Sequence, residues 1–318
     1  MKIYSGYIND EKELLSTSSG GVATALSRVF ISNGGCVFGA RYSEDFYRVE
    51  YCCIEDYDGL ELLKGSKYTK AIQANIYEVL EEKINNGKQV LFIGLGCDIG
   101  ALKAFCRSKS LDTNKLYTID ILCHGTAVEG VHESYVTELE KKYNSKLTSF
   151  TIRHKKHGWT PFYIKATFVN GKKYIAPFNG SSYEKAFRMV AKPGCTKCPF
   201  KGDKHKGDIC IGDYWGMDKD ADGWNKNGVS IMIVQNDKGE DLLAMLGDDF
   251  SIKEENPEHV LKGNPLYQLS RTQKANYNSF ITDLNNKGLN YAVKNLPKEE
   301  LSLFQTVKQI IKQIIYKY

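Results

Sequence analysis

A chain of 318 residues can bury a substantial apolar core, either as one large α/β unit or as two smaller domains. Its 42% hydrophobic and 25% charged residues are ordinary proportions, which exclude disordered and fibrous classes. The net charge of +5 is mild, and lysine and arginine are spread along the chain without a dense basic run, so nucleic acid is not an expected partner.

The N-terminal stretch "MKIYSGYINDEKELLSTSSGG" has no apolar core of signal-peptide length. No window holds the roughly 18 uninterrupted apolar residues of a membrane span. We therefore expect a cytoplasmic protein with no membrane span. The chain has nine cysteines, an odd number, and a reducing compartment favours buried thiols, metal ligands or a catalytic thiolate over disulfides.

The first predicted elements combine a loop, a helix and two strands. "STSSGGVATALSRVFISNGG" predicts a Ser/Gly loop followed by a capped helix that ends at Gly34-Gly35. "CVFGARY" and "YRVEYCCIE" alternate like neighbouring strands, and "YTKAIQANIYEVLEEKINNGK" predicts another helix.

Two strand–helix units follow. Strand "QVLFIGLG" precedes helix "IGALKAFCRSK", and strand "LYTIDILCHG" precedes helix "EGVHESYVTELEKKY". This repetition predicts a parallel sheet with right-handed crossovers.

From about residue 148 the pattern changes to short alternating runs with an Asn-Gly hairpin signal, which predicts an antiparallel section. Residues 191–230 form a Cys-rich loop segment, and "VSIMIVQNDKGEDLLAML" returns to strand, turn and helix. "LSLFQTVKQIIKQIIYKY" predicts a basic amphipathic helix. We expect it to pack on its own fold or on a sister subunit in a homo-oligomer, and the alternative is that it lies on a membrane surface. The expected fold class is α/β, with a parallel or mixed sheet core, helices, an antiparallel section, a Cys-rich loop and a C-terminal helical tail.

Cys195 and Cys198 form "GCTKCPF", a CxxC pair followed by proline. Two thiolates at this spacing can bind one metal centre, and Cys-Pro recurs around iron–sulfur clusters. Half of a zinc site is a second interpretation. A redox dithiol is a third, weakened because the pair does not open a helix in a βαβ unit.

A cluster or a zinc ion needs about four ligands. Cys97 and Cys123 each follow a predicted parallel strand, so adjacent strands would place both at one edge of the sheet. The alternative is that each is a small core residue. Cys210 is ambiguous, and the remaining cysteines fit packing positions: Cys36, Cys52, Cys53 and Cys106.

Two loops have the composition of anion-binding segments. "STSSGG" before a helix offers hydroxyls and free N–H groups, and "LKGSKYTKA" adds Lys64, Lys67 and Lys70 around a Gly-Ser turn. Together they could enclose a diphosphate. GxGxxG and Walker sequences are absent, which disfavours a standard Rossmann dinucleotide site and an NTPase.

Short blocks occur along the chain in this order: "SSGGVATAL", "GGCVFGARY", "LKGSKYTKA", "VLFIGLGCDIGALK", "IDILCHG", "RHKKHGW", "CTKCPF", "DICIGDYWG" and "GVSIMIV". Taken together, over about residues 14 to 240, they resemble the coenzyme F420 hydrogenase/dehydrogenase beta-subunit family. The resemblance implies an oxidoreductase that binds FAD and a 4Fe-4S cluster and passes electrons between a hydride carrier and a redox partner protein, either ferredoxin-like or a hydrogenase/dehydrogenase-type subunit. Bacterial relatives are similar to subunits found with polysaccharide-biosynthesis enzymes.

The resemblance also implies site residues and domains. It implies cluster ligation by Cys195 and Cys198, with Cys97 and Cys123 as the expected additional ligands. It implies FAD contacts from Ser18, Ser19, Gly20, Gly21, Gly65, Ser66, Lys67 and Tyr68. Residues 14–85 resemble the family's N-terminal domain, residues 90–250 resemble its C-terminal domain with the iron–sulfur loop, and residues 251–318 are expected to form a C-terminal helical tail.

The chain departs from the family at three places. The usual Gly-Thr-Pro-Cys-Gln reads "GLGCD" here, so Cys97 remains but Asp98 replaces the amide. The turn after Cys-His-Gly reads Thr126-Ala127-Val128. The ferredoxin-like N-terminal segment of many members does not precede these motifs, so we expect electrons for any second cluster to come from another protein.

Three functions remain open on the sequence. The first is a flavin and iron–sulfur oxidoreductase. The second is a non-catalytic partner-binding module, stapled by zinc, in a polysaccharide-biosynthesis system. The third is a thiol enzyme that uses Cys97 with His124, although a lone histidine is more often structural. The fourth cluster ligand also remains open among Cys123, Cys210, Asp203 and Asp208.

Overall fold

The computed structural model describes residues 1–298. These residues form eleven strands, which in chain order are β1 (Ile3–Ile8), β2 (Cys36–Tyr42), β3 (Val49–Ile54), β4 (Val90–Leu95), β5 (Leu116–Ile121), β6 (Leu147–His154), β7 (Tyr163–Phe168), β8 (Lys173–Pro177), β9 (Ile209–Asp213), β10 (Ser230–Val234) and β11 (Phe250–Glu254). The same residues form twelve α-helices, which are α1 (Glu11–Ser16), α2 (Val22–Ser32), α3 (Tyr57–Leu63), α4 (Ile76–Asn85), α5 (Gly96–Ser108), α6 (Val131–Tyr143), α7 (Ser182–Met189), α8 (Pro193–Thr196), α9 (Asp237–Ala244), α10 (Pro257–Gly263), α11 (Tyr277–Lys287) and α12 (Leu289–Lys294). The amphipathic helix predicted over residues 301–318 lies outside the described residues.

A mixed sheet of eight strands forms the centre of the described chain, in the order β11, β1, β10, β9, β5, β4, β2, β3. Strands β2, β4, β5 and β9 run parallel to one another, and the other four join antiparallel. The carboxyl ends of β4, β5 and β9 therefore meet at one edge of the sheet, which we call the carboxyl rim. Open α/β sheets bind their ligands beyond this kind of edge.

The central strands are covered by helices on both faces, which explains their nearly continuous apolar sequences. On one face Leu91 and Ile93 of β4 belong to a core cluster with residues of α2 and α9. On the other face Val90 and Phe92 belong to a cluster with residues of α4 and α5. The alternation follows from the two-residue period of a strand, so β4 is fixed in register by both layers.

A second sheet of three antiparallel strands, in the order β6, β7, β8, forms its own core with α6, α7, α11 and α12. The predicted Asn-Gly hairpin is present between β7 and β8, where Gly171 has a φ of 78°. The predicted α/β class, with a mixed sheet, an antiparallel section and C-terminal helices, is confirmed.

The structure differs from the sequence prediction in several elements. Strand β9 lies within the predicted loop segment 191–230, because residues 209–213 pair with β5 and β10 in the sheet. The stretch Ile3–Ile8 forms β1, which lies between β10 and β11 in the sheet. The helix predicted over residues 68–88 begins only at Ile76, because the residues before it pair with other segments: Ala127 donates its N–H to Tyr68, and Ile72 donates its N–H to Val49. Tertiary hydrogen bonds thus override the helical pattern.

The expected domain boundary at residue 251 lies within β11, which pairs along β1. Strand β11 therefore joins residues on both sides of that position to the main sheet. Within residues 1–298, none of the helices combines the length and the apolar character needed to cross a bilayer.

Candidate functional site

A cavity of about 690 Å³ opens at the carboxyl rim. This volume lies within the roughly 300–1,000 Å³ of small-molecule sites. The cavity is lined by seven of the eight residues expected to contact FAD, which are Ser18, Ser19, Gly21, Gly65, Ser66, Lys67 and Tyr68. The eighth, Gly20, lies behind this surface, where an added Cβ would be 2.1 Å from the carbonyl oxygen of Gly6.

The Ser-Gly loop, residues 18–21, leads into the N-terminus of α2. Gly21 is the N-cap residue with a φ of 82°, and no side chain caps the helix. The first N–H groups of α2 are therefore available at the cavity, where the helix dipole favours an anion. Lys155 lies buried behind the loop and donates to the carbonyl oxygens of Leu14 and Ser19 at 2.6 and 2.7 Å.

The second predicted anion loop meets the first through a hydroxyl pair, since Ser18 and Ser66 share a hydrogen bond of 2.9 Å. Lys67 points back to the end of α3 and donates to the carbonyl oxygens of Leu62, Leu63 and Lys64. Desolvation lowers the pKa of Lys67 to about 7. Through these three hydrogen bonds, Lys67 stabilises the shape of the loop, and it also lines the cavity.

A buried polar network that the sequence did not assign forms the floor of the cavity. Arg153 donates two hydrogen bonds of 2.7 Å to Asp213, and the indole N–H of Trp159 donates to the same carboxylate at 2.9 Å. Burial acts to raise the pKa of Asp213, but the Arg153 charge outweighs it and the pKa is lowered. Arg153 lies in the block "RHKKHGW" and Asp213 in the block "DICIGDYWG". The motifs therefore identify the two segments but not the ion pair between them.

Aromatic side chains surround the same floor. The Arg153 guanidinium lies 4.1 Å from the ring centroid of Phe162. Tyr68 stacks on Phe178 at 5.5 Å and meets Phe187 edge-on at 5.0 Å. Since Tyr68, Phe162 and Phe187 all line the cavity, it offers flat apolar surface beside its polar loops.

Three of the four predicted ligand cysteines are gathered near the rim. Desolvation raises the pKa of Cys97, with a further contribution from the charge of Cys195. Burial raises the pKa of Cys123 to about 12, and the charges of Cys97 and Cys195 add to it. Cys198 follows Cys195 by three positions, and its N–H donates to the Ser270 hydroxyl at 3.1 Å.

The spacing of these sulfurs bears on the kind of metal centre. Two thiolates bound to one zinc ion, each about 2.3 Å from it, lie at most roughly 4.6 Å apart. Within residues 1–298, the single group of three ligand atoms within 4.8 Å of one another belongs to Asp120, His205 and Cys210. Within residues 1–298, no three of the four predicted cysteines meet this limit. A cluster places its own iron and sulfide atoms between its thiolates and so spans a wider gap.

The other proposed fourth ligands have different surroundings. His205 shares a hydrogen bond of 2.9 Å with Asp120 and stacks on Tyr267, next to buried Cys210. Asp208 accepts two hydrogen bonds of 2.7 Å from Thr118. These contacts attach the end of the Cys-rich loop to the sheet. Asp203 is exposed, and Cys36 and Cys106 lie in the apolar core.

Cys97 contacts a cation that the sequence did not assign to it. The Lys70 ammonium lies 3.1 Å from the Cys97 sulfur and forms an ion pair with Asp98. Desolvation acts to lower the pKa of Lys70, but Asp98 and Cys97 outweigh it and the pKa is raised. His124 lines the cavity, and no hydrogen bond joins it to Cys97 in the described part of the chain. A raised thiol pKa disfavours Cys97 as a nucleophile.

Comparison with known proteins identifies the family. The sequence model for the C-terminal region of the coenzyme F420 hydrogenase/dehydrogenase beta subunit matches residues 87–259, more than half of the chain. No curated protein matches the chain. The fold is similar to a chain in the structure of the F420-reducing [NiFe] hydrogenase complex from Methanosarcina barkeri, with a TM-score of 0.55, 15% sequence identity, and coverage of 92% of this chain and 90% of that one. The chain belongs to the coenzyme F420 hydrogenase/dehydrogenase beta-subunit family.

Proposed function

We propose that this protein is a flavin- and iron–sulfur-dependent oxidoreductase subunit, with FAD in the rim cavity and a 4Fe-4S cluster on Cys97, Cys123, Cys195 and Cys198. Electrons would pass from a hydride carrier through FAD and the cluster to a protein partner, which is ferredoxin-like or of the hydrogenase/dehydrogenase type. When bound, a flavin accepts a hydride and releases electrons singly, and a cluster takes one electron at a time.

The observation that carries the proposal is the position of Cys123. Cys123 lines the cavity, and burial together with the charges of Cys97 and Cys195 raises the pKa of its thiol. The cavity and the thiol group therefore adjoin at one residue. Cys123 would therefore hold the cluster beside the flavin site, and a bound flavin and cluster would need no further electron carrier between them.

The residues of the cavity fit a flavin dinucleotide by chemistry as well as by volume. The free N–H groups at the start of α2 and the hydroxyls of Ser18 and Ser66 suit a diphosphate. The aromatic surface around Tyr68 suits a flat ring. The Arg153–Asp213 pair offers hydrogen-bonding groups at the floor of the cavity, and the Trp159 indole N–H holds the Asp213 carboxylate in place.

The thiols fit a cluster better than a single ion. Cys97 and Cys123 follow two adjacent parallel strands, β4 and β5, and Cys195 and Cys198 lie in the Cys-rich loop that leads to β9. Cys97 is the second residue of α5, where the helix dipole would favour the thiolate form that a bound metal requires.

The test is anaerobic purification of the full chain, cluster reconstitution, and quantification of flavin and iron with an absorption spectrum. We expect about one FAD and about four irons per chain, in line with one 4Fe-4S cluster. Cys97→Ala and Cys123→Ala should each lose most of the iron, whereas Cys52→Ala, a half-buried cysteine of β3, should retain it. Absence of both flavin and iron contradicts the proposal, and zinc without iron supports the zinc-stapled module instead.

A further inference from the structure

The Lys70–Cys97 contact has the geometry of an N–H···S hydrogen bond. The ammonium nitrogen is 3.1 Å from the sulfur, within the range expected for an N–H···S contact. Lys70 precedes Cys97 by 27 positions in the chain and comes from the loop that lines the cavity, so the contact exists because the fold brings two separate segments together. It lies at the cysteine with the greatest solvent exposure of the four predicted ligands.

Asp98 fixes the Lys70 ammonium in this position. The carboxylate is 1% exposed and forms an ion pair with Lys70. It also accepts hydrogen bonds from the Tyr51 hydroxyl at 2.9 Å and the Gln73 amide at 3.0 Å. Because these contacts leave Asp98 little freedom to move, the direction of the Lys70 N–H groups is determined by the buried surroundings rather than by solvent.

We propose that Lys70 sets the reduction potential of the cluster through its hydrogen bond to the Cys97 sulfur. This inference rests on the proposed function. Reduction adds one electron, supplied by a reduced flavin, and no bond is formed or broken; Lys70 keeps its proton. The added electron increases the negative charge on the thiolate sulfurs, so a donor at that sulfur stabilises the reduced form more than the oxidised form. Lys70 therefore raises the potential.

The local charge balance makes the hydrogen bond the main contribution. Asp98 carries a negative charge next to the Lys70 ammonium, so the two charges largely cancel at longer range. At the sulfur itself the N–H of Lys70 is the nearer group, since it makes the direct contact. A variant that removes both charges together therefore isolates the N–H···S contact from the change in net charge.

The experiment is a potentiometric titration of the reconstituted full chain, followed by the EPR signal of the reduced cluster. Lys70→Met should lower the midpoint potential, so that the reduced-to-oxidised ratio at a fixed potential falls about tenfold, equivalent to ~59 mV for a one-electron couple. The charge-neutral double variant Lys70→Met/Asp98→Asn should also lie below the wild type, because it lacks the hydrogen bond. Lys70→Arg, which keeps a charged donor, should remain close to the wild type.

Lys197→Met is the matched control, because Lys197 is exposed between Cys195 and Cys198 and its replacement removes the same charge. Its shift should be clearly smaller than that of Lys70→Met. Iron content per chain is measured for every variant, so that incomplete loading is not read as a shift. A loaded Lys70→Met variant with the wild-type potential, or equal shifts in Lys70→Met and Lys197→Met, overturns this inference and leaves the proposed function intact. A wild-type chain that binds no cluster overturns both.

Discussion

At the scale of single residues, the Arg153–Asp213 ion pair is a buried contact at the cavity floor. The Arg153 side chain is 6% exposed and the Asp213 side chain 13%, so neither charge is well solvated once its partner is lost. Breaking a buried pair by removing one member leaves the other charge uncompensated, which is more costly than replacing both.

We therefore predict that Arg153→Leu lowers the free energy of unfolding by about 3–5 kcal/mol. The double variant Arg153→Leu/Asp213→Leu should recover part of that loss, because it leaves no isolated charge. The matched control is the half-exposed pair Arg41–Glu50, with an N–O distance of 2.8 Å, where Glu50→Ala should cost at most about 1 kcal/mol. Urea unfolding measures all three. Equal losses at the two pairs would contradict the prediction.

Lys155 gives a second prediction at this scale, concerning pH. Burial lowers the pKa of Lys155 to about 7, from an ordinary value of 10.5. Between these values the unfolded chain binds a proton that the folded chain lacks, so this group makes stability rise with pH, by at most about 1.4 kcal/mol per pH unit. The free energy of unfolding of the wild type relative to Lys155→Met should therefore increase from pH 7 to pH 9.

Urea unfolding at pH 7, 8 and 9 measures this slope. Lys219→Met removes an exposed lysine and serves as the control. Its difference from the wild type should stay constant over the same range. The interpretation of Lys155 as a buried, readily neutralised group fails if both variants show the same dependence.

At the scale of elements, the Ser-Gly loop depends on its contact with the sheet. An added Cβ on Gly20 would lie 2.1 Å from the carbonyl oxygen of Gly6 and 2.6 Å from the N–H nitrogen of Ser230. Both are backbone atoms of neighbouring strands, so they cannot move aside as a flexible side chain could. The loop itself must shift away from the sheet.

We predict that Gly20→Ala destabilises the fold by about 1–3 kcal/mol and lowers the flavin content of purified protein. Gly247→Ala is the control, since an added Cβ there meets nothing within 4 Å. Thermal unfolding and the flavin absorbance per chain measure the two effects. A Gly20→Ala variant with normal stability and normal flavin content would show that the loop is free of this constraint.

Elements were predictable where the local pattern and the fold agree. The apolar run of β4 and the periodic α5 after it are determined by burial on both faces, so the sequence predicts them and the position of Cys97. Strand β1 was missed because its Tyr-Ser-Gly centre lacks an apolar run, and its place in the sheet depends on pairing with residues more than 220 positions away, such as Ile233. The same holds for the site. The sequence motifs predict that Ser18 and Ser66 line it, but they do not predict that Arg153 contacts Asp213 or that Lys70 contacts Cys97, because these contacts join distant parts of the chain.

At the scale of the whole molecule, the predicted ligands join three separate parts of the chain. Cys97 and Cys123 follow β4 and β5, whereas Cys195 and Cys198 belong to a loop that returns to the sheet at β9. A bound cluster would link these parts covalently through iron. Binding to the folded state alone raises its stability, because the unfolded chain does not present the four thiolates together.

We predict that removing the proposed cluster with a chelator under reducing conditions lowers the melting temperature, by about 2–4 °C for each kcal/mol of lost stabilisation. Trypsin should then cleave first in the Cys-rich loop, where Lys197 and Lys204 are exposed. Exposed Lys172, in the hairpin turn between β7 and β8, is the internal control and should be cleaved at the same rate in both states. Cleavage that is equally fast at Lys197 with and without iron would contradict the role of the loop.

Residues 264–274, which follow α10, connect the two halves of the site. The Ser270 hydroxyl accepts a hydrogen bond from the Cys198 N–H. Arg271 donates its backbone N–H to the Cys195 carbonyl oxygen and its guanidinium N–H to the His124 carbonyl oxygen. The segment also lines the cavity. Since a ribosome delivers the chain from the N-terminus, Cys97 and Cys123 emerge long before this segment does. The proposed FAD and cluster are therefore expected to bind only after residue 274 has been translated, when most of the sheet has already been synthesised.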